Sequence, residues 1–376
     1  MADAISDDIS AILKEAQAAL ANGRSMPAGL YTDPAVFERE RSVIHLTGWI
    51  FAGREEQVPS PGDYRAIDTV AGPVVLVRGD DSTLRAFANV CRHRGSLLLE
   101  GAGKCRRIVC PYHAWTYTLD GRLQGAPGME DAPGFERADQ GLIEARLETW
   151  AGFVFIAFHA DAPPLMDHLG DLPDRMASHR AEDMHWVWGI ELDCACNWKL
   201  LLENAMETYH TGAVHKDTVG AQTSRTLATR GAWHCIQVLS ERSIATMNDD
   251  AGKFSSIPGL DDDALQGTYF TVIEPACQLV FAQDCIWWLN VIPKSPNRSV
   301  LEIGGCFPRA VMARADFDAV AAPYLERWEA VGREDAGILE RQQQGLESAA
   351  YAPGPLSARD DQVVALAERI IRKLEA

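Results

Sequence analysis

The sequence contains no apolar run near the roughly 20 residues that a membrane-spanning helix needs; its longest strongly apolar runs are of the order of Trp150 to Phe158. It is short of positive charge, with 35 Lys and Arg against 53 Asp and Glu and a formal net charge of −18. That balance argues against nucleic acid and anionic membranes as partners. Residues 1–8 are acidic where a secretory signal is basic and then apolar, so the expected location is the cytoplasm. Internal repeats, low-complexity tracts and the glycine-rich fingerprint of a flavin or nicotinamide site are all missing. The nine cysteines are odd in number and scattered, unlike a secreted disulfide framework, which leaves metal binding open for some of them. What remains is a globular chain of 376 residues, 47% hydrophobic, long enough for two domains.

Residues 1–41 carry two helical patterns separated by Met26-Pro-Ala-Gly and are expected to pack with the later, catalytic domain. From 42 to 160 the chain turns to short β-rich runs, among them Pro73–Arg78, Leu84–Val90, Ala114–Leu119 and Gly152–Phe158, broken by Gly- and Asp-rich turns. A small all-β domain is expected there. After Ala162-Pro-Pro-Leu the region 161–376 reads as α+β. It has a strand over Met184–Leu192, a helical window from Trp198 to His210, and strand-like runs near Trp233–Thr246, Thr268–Gln283, Ile286–Ile292 and Ser299–Phe307. Helices from Arg314 to about Gly345 and from Ser357 to Leu374 complete it. An antiparallel sheet packed by long helices follows from this order.

Two groups of residues carry chemistry. Cys91-x-His93 and Cys110-x-x-His113 put one thiolate and one imidazole in each of two loops, each entered from an expected strand. A structural zinc site accepts such a set, but zinc fingers pair Cys with Cys and then His with His. One Cys and one His per loop suits a two-iron cluster with both cysteines on one iron and both histidines on the other, which raises its potential and makes it a one-electron relay. Gly95 and Pro111 suit loops that approach such a cluster closely, and Trp115 either shields it or is core.

The second group lies in the helical window, where Glu203, Glu207 and His210 are spaced i, i+4 and i+7 and fall on one face. Gly212 is a natural helix end, after which His215 would turn back toward His210. Two histidines and one carboxylate form the facial triad of non-haem iron oxygenases. Spacing leaves the carboxylate open among Glu207, Glu334 and Asp335.

Taken together, Cys91-x-His93, Cys110-x-x-His113, Asn204-x-x-Glu207-x-Tyr-His210-x4-His215 and Glu334-Asp335 resemble the α subunit of Rieske non-haem iron oxygenases over nearly the whole chain. The resemblance implies an all-β Rieske domain and a helix-grip catalytic domain. It implies a 2Fe–2S cluster on Cys91, His93, Cys110 and His113, and mononuclear Fe(II) on His210, His215 and Asp335. Dioxygen is then the cosubstrate, and electrons come from NAD(P)H through a separate flavin/iron–sulfur reductase or ferredoxin. The family commonly forms a head-to-tail homotrimer in which an acid at position 207, next to Asn204 on the same segment, bridges one subunit's cluster and its neighbour's iron. Aromatic-ring dioxygenases have Asp at that place. Glu207 resembles the subgroup acting on quaternary ammonium compounds, as do Gln344–Ser348 and Tyr351–Leu356. A small ammonium substrate is therefore expected, with an aromatic acid as the competing reading; a plain electron carrier and a zinc-stabilised binding protein compete as classes.

Substrate-facing residues are expected on the catalytic sheet, where Trp233, Tyr269, Phe281 and Trp287, together with Phe270 and Trp288, could cage an ammonium group through cation–π attraction. Trp287 and Trp288 are neighbours on a strand, so only one of them can face the pocket. Cys194 and Cys196 are expected to be inert.

Overall fold

A computed structural model describes residues 5–247 and 253–376. The chain divides into two compact units, Leu46–Leu165 and the combination of the residues up to His45 with Met166–Ala376.

The first unit is all β. Strands β1 (Ile50–Arg54), β2 (Asp63–Thr69), β3 (Gly72–Arg78), β4 (Leu84–Ala88), β5 (Ala102–Lys104), β9 (Glu144–Trp150) and β10 (Phe153–Ala157) form an antiparallel sheet in the order β1-β10-β9-β4-β3-β2-β5. A second small sheet is built from β6 (Ile108–Val109), β7 (Thr116–Tyr117) and β8 (Leu123–Gly125). The run expected as a strand over Ala114–Leu119 shrinks to β7, because Ala114 takes a positive φ of 56° and Leu119-Asp-Gly-Arg makes the turn into β8.

The second unit is α+β, as its sequence order implies. Its antiparallel sheet runs β11 (Met184–Cys194), β17 (Arg298–Pro308), β16 (Ile286–Ser295), β15 (Cys277–Phe281), β14 (Gly267–Ile273), β13 (Trp233–Leu239), β12 (Ser224–Leu227). The run read as one strand near Thr268–Gln283 is a hairpin, since Glu274-Pro275-Ala276 interrupts it and β14 pairs with β15. The strand expected to reach Thr246 ends at Leu239. Helix α1 (Asp7–Ala21) is capped by Ser6, and α2 (Pro34–Glu40) by Asp33, whose carboxylate accepts from the N–H groups of Ala35 and Val36. These two pack in the same core as the C-terminal helix; Arg39 Nε donates to the Leu374 carbonyl at 2.9 Å.

Helix α3 (Trp198–Ala205) begins where Asn197 caps the Lys199 N–H at 3.0 Å and donates to the carbonyls of Tyr31 and Pro296. Contrary to the expected window, it stops at Ala205. Glu207 folds its carboxylate back onto the N–H groups of Tyr209 and His210, and such local side-chain bonds compete with helical ones. A separate single turn, α4 (Thr211–Val214), follows, with His210 at its start and His215 at its end; Gly212 lies inside it rather than ending a helix. Helix α5 (Phe317–Leu346) buries Ala321, Tyr324, Trp328, Gly332, Ala336 and Leu339 along one stripe. It is followed by α6 (Asp361–Glu375).

Close approach between α5, the sheet and its tryptophans depends on two adjacent glycines of β17. A Cβ on Gly305 would overlap the Trp328 ring, and one on Gly304 would overlap Trp288. Neighbouring positions on a strand face opposite sides, so each glycine is the seat of one tryptophan.

Candidate metal and substrate sites

In the β unit the two Cys/His loops are the same turn made twice. Cys91 N–H donates to the Ser96 carbonyl at 2.8 Å and Gly95 N–H to the Cys91 carbonyl at 3.0 Å; Cys110 N–H donates to Trp115 at 2.8 Å and Ala114 N–H to Cys110 at 3.0 Å. The fifth residue of each, Gly95 and Ala114, has positive φ of 73° and 56°. These turns bring the His93 and His113 rings to 4.7 Å between centroids, while Cys91 and Cys110 are close enough to hydrogen-bond. Histidine is thus paired with histidine and cysteine with cysteine. Among the described residues the four do not form a group converging on one ion, which is what a two-metal cluster asks for and a single zinc does not. Burial opposes ionisation of Cys110, yet backbone N–H groups of Tyr112 and His113 turned to its sulfur hold the thiol below its ordinary value. The Tyr117 hydroxyl lies 3.4 Å from Cys91 Sγ and accepts the Arg92 N–H. Trp115 is buried and stacks on His93, 6° from parallel, so shield and core are one role.

In the mixed unit His210, His215 and Asp335 each offer a ligand atom within 4.8 Å of the others. The single turn of α4 sets the two histidines at its ends, and α5 delivers Asp335. Asp335 Oδ1 stands 3.0 Å from His215 Nε2 and 3.6 Å from His210 Nε2, is buried, and has no hydrogen-bond partner. A buried carboxylate oxygen without a donor is costly, and a divalent cation bound there removes the cost. The opposite ring nitrogens are both engaged. His210 Nδ1 donates to Glu207 at 2.5 Å, and His215 Nδ1 donates to Glu334 at 2.7 Å. Carboxylates accept only, so both imidazoles keep their Nε2 lone pairs toward Asp335, the arrangement of carboxylate–histidine–metal sites. Burial disfavours the charged imidazolium of His215, whereas the carboxylates of Asp335 and Glu334 favour it and win, so a cation at Nε2 competes with a second proton there. Of the three open carboxylates, Asp335 therefore faces both Nε2 atoms, while Glu207 and Glu334 back the histidines.

A cavity of about 70 Å³ adjoins these residues and is lined by the inner face of the sheet and by α5. Of the four aromatics expected there, only Trp287 lines it. Register decides this: Phe270 pairs with Ile236 and Val280, and Val280 with Trp287, which puts them on one face. Tyr269 pairs with Phe281, and Trp233 with Ile273, on the other. Tyr269 and Phe281 pack against His179, and Trp233 Nε1 donates to Asp171 at 3.1 Å. The cavity wall is completed by Phe270, which was among the strand aromatics, and by Trp328 and Arg327 of α5, which sequence reasoning missed. Both lie seven or eight residues before Asp335, two helical turns, and that spacing was the available signal. Asn204 lines this cavity and also a second, wider one that opens beside Glu203, Glu207 and His210. Cys194 and Cys196 are buried away from both, and burial pushes the Cys194 thiol up to about 12.

A sheet domain presenting paired Cys/His loops, with two histidines and an acid gathered beside an apolar cavity in a second unit, defines an iron–sulfur oxygenase. Residues 48–136 match the family described as the Rieske [2Fe-2S] domain, and residues 174–376 match the ring hydroxylating alpha subunit, catalytic domain. The chain belongs to this family, the Rieske non-haem iron oxygenases, whose members use a 2Fe–2S cluster, mononuclear iron and dioxygen. It is 28% identical to a glycine betaine monooxygenase oxygenase subunit of Chromohalobacter salexigens, over 93% of this chain and 86% of that one. It is 37% identical to a carnitine monooxygenase oxygenase subunit of Escherichia coli K12, over 51% of this chain and 52% of the relative. Its fold is shared with the quaternary ammonium Rieske monooxygenase CntA in complex with L-carnitine, at TM-score 0.78 and 24% identity over 94% and 97% of the two chains. Naphthalene 1,2-dioxygenase from Rhodococcus sp. also shares it, at TM-score 0.81 and 17% identity over 99% of each. Among the described residues no helix is long and apolar enough to cross a membrane.

Proposed function

We propose that this chain is the oxygenase component of a multicomponent monooxygenase that hydroxylates, and so N-demethylates, a small quaternary ammonium compound with electrons from a separate reductase. The observation that carries the reading is the relation, over nearly the whole chain, to a subunit named for glycine betaine oxidation. Cys91, His93, Cys110 and His113 hold the cluster, and His210, His215 and Asp335 hold the mononuclear iron. When bound, these groups supply one-electron transfer and the activation of dioxygen.

The chain's own residues prepare that chemistry. Glu207 and Glu334 fix the tautomers of His210 and His215, leaving Nε2 of each unprotonated. Glu207 also borders the second cavity, with Asn204 beside it; this supports a homotrimer in which a neighbouring subunit's cluster approaches Glu207, which then bridges the two centres. The apolar walls around Phe270, Trp287 and Trp328 exclude water from the cavity. With an N-methyl substrate, dioxygen, two electrons and two protons give water and a hydroxymethyl amine, which collapses to the demethylated amine and formaldehyde.

The test is an anaerobic single turnover. Protein reduced in both centres is mixed with oxygen and either quaternary amines or aromatic acids, and the visible absorbance and product masses are followed. Reoxidation with stoichiometric demethylated or hydroxylated amine is expected. Product from aromatic acids alone would reject the ammonium assignment while keeping the enzyme class.

A further inference from the structure

The cavity beside His210, His215 and Asp335 contains a buried positive charge, Arg327, on which Asp335 and Glu334 act only through space, without a hydrogen bond or ion pair from any described residue. Arg327 is 4% exposed, yet it makes no hydrogen bond or ion pair with any described residue, and its Nε is buried without an acceptor. Its guanidinium carbon lies over the Trp287 ring, 5.2 Å from the centroid. Buried arginines are ordinarily paired, because a desolvated guanidinium with unfilled donors is costly.

The acids nearby are committed elsewhere. Glu207 serves His210 and two backbone N–H groups, Glu334 accepts from His215 and Thr218, and Asp335 faces the two Nε2 atoms. An acceptor for Arg327 must therefore arrive with whatever fills the cavity. The guanidinium offers its donors as a fork that matches a carboxylate, two bonds at once.

Position adds a direction. Arg327 and Asp335 lie eight residues apart on one face of α5 and line the same cavity, about 12 Å along the helix axis. A small molecule held at Arg327 by one end extends its other end toward the histidines. A cation without an acid would instead meet an uncompensated like charge in a poorly solvated space.

Resting on the reading of this cavity as the substrate site, we infer that Arg327 is its anion-binding residue and that the substrate carries a carboxylate at the end remote from the oxidised carbon. Among ammonium compounds this selects amino-acid betaines over amino-alcohol cations. Phe270 and Trp328 remain to receive the ammonium end.

The test uses the cluster- and iron-loaded protein and calorimetric binding, without turnover. The ligands are glycine betaine, its carboxamide, choline and 4-methoxybenzoate, and the variants are Arg327→Gln and Arg327→Lys, checked for an unchanged cluster spectrum. Wild type should bind glycine betaine about 10- to 100-fold more tightly than the carboxamide or choline. Arg327→Gln should lose that factor for the carboxylate only, and Arg327→Lys should keep part of it. In turnover the Gln loss should appear in KM with kcat largely retained. Equal wild-type binding of glycine betaine and its carboxamide would overturn the inference, as would a Gln variant that weakens both alike. If Arg327→Gln fails to fold, the wild-type ligand comparison and the Lys variant still decide. If 4-methoxybenzoate binds in an Arg327-dependent way and no ammonium compound does, the anion role stands and the ammonium assignment above falls.

Discussion

Glu334 is the residue whose removal tests the iron site most directly without touching a ligand. Its carboxylate accepts from His215 Nδ1 at 2.7 Å and from Thr218 Oγ1 at 2.9 Å. In Glu334→Ala the His215 ring, 2% exposed, loses the acceptor that keeps its proton on Nδ1. The other tautomer then becomes accessible, and it carries the proton on the nitrogen that must bind metal. Carboxylate partners of metal-bound histidines are typically worth 10- to 100-fold in metal affinity, or about 1.4–2.7 kcal/mol. Glu334 is 30% exposed, so water replaces part of the bond and the lower half of that range is expected. Glu334→Gln keeps an acceptor oxygen and should fall between wild type and Ala. The assay is retention of mononuclear iron against a ferrous chelator, with cluster absorbance as the internal standard. An Ala variant that holds iron as tightly as wild type, or that loses cluster and iron together, would refute the reasoning.

Glu207→Gln should retain both metal centres and slow turnover severely, read as product per reduced cluster in single turnover; a normal rate would exclude the bridging role. Burial alone would raise the Glu274 carboxyl, but His234, Lys373 and Arg369 around it bring it down to about 2 from an ordinary 4.5. Because its folded pKa is depressed, its stabilisation is complete above pH 4.5 and is lost as pH falls toward 2, about 3 kcal/mol across that window. Denaturant midpoints should thus fall less steeply with acid in Glu274→Gln than in wild type. Gly305→Ala forces Trp328 from its seat and should cost about 1–3 kcal/mol in thermal or denaturant unfolding, together with weaker ligand binding in the cavity. Gly304→Ala should destabilise through Trp288 while leaving ligand binding nearly unchanged.

The legibility of these features in the sequence follows how local they are. The cluster loops were readable because each ligand pair sits within four residues of its own turn. The two histidines were readable for the same reason, although the helix thought to carry them breaks at Met206, where the Glu207 side chain takes over backbone N–H groups. Asp335 came only with the family resemblance, since 119 residues separate it from the nearer histidine, His215. Alternation in β14 and β15 separates Tyr269 from Phe270, but nothing local says which face meets α5, and Trp233, Tyr269 and Phe281 lie on the other one. Arg327 carries no such local signal, because a lone arginine on an amphipathic helix ordinarily points to water; its burial is a property of the docked helix alone.

The β unit, Leu46–Leu165, interrupts a second unit whose first helices, from Ile9 to Ile44, and last helix share a core. Joining distant parts of a chain carries a loop-closure entropy that grows with the logarithm of the intervening length. Within the insert, β1 pairs with β10, Ile50 opposite Ile156, and Trp49 Nε1 donates to the Pro163 carbonyl at 3.0 Å, so its entry and exit lie side by side. Once folded, it is to the rest of the chain a short bridge instead of a long loose loop. Folding of the β unit, and any ligand that stabilises it, therefore favours assembly of the other unit by shortening the loop that assembly must close.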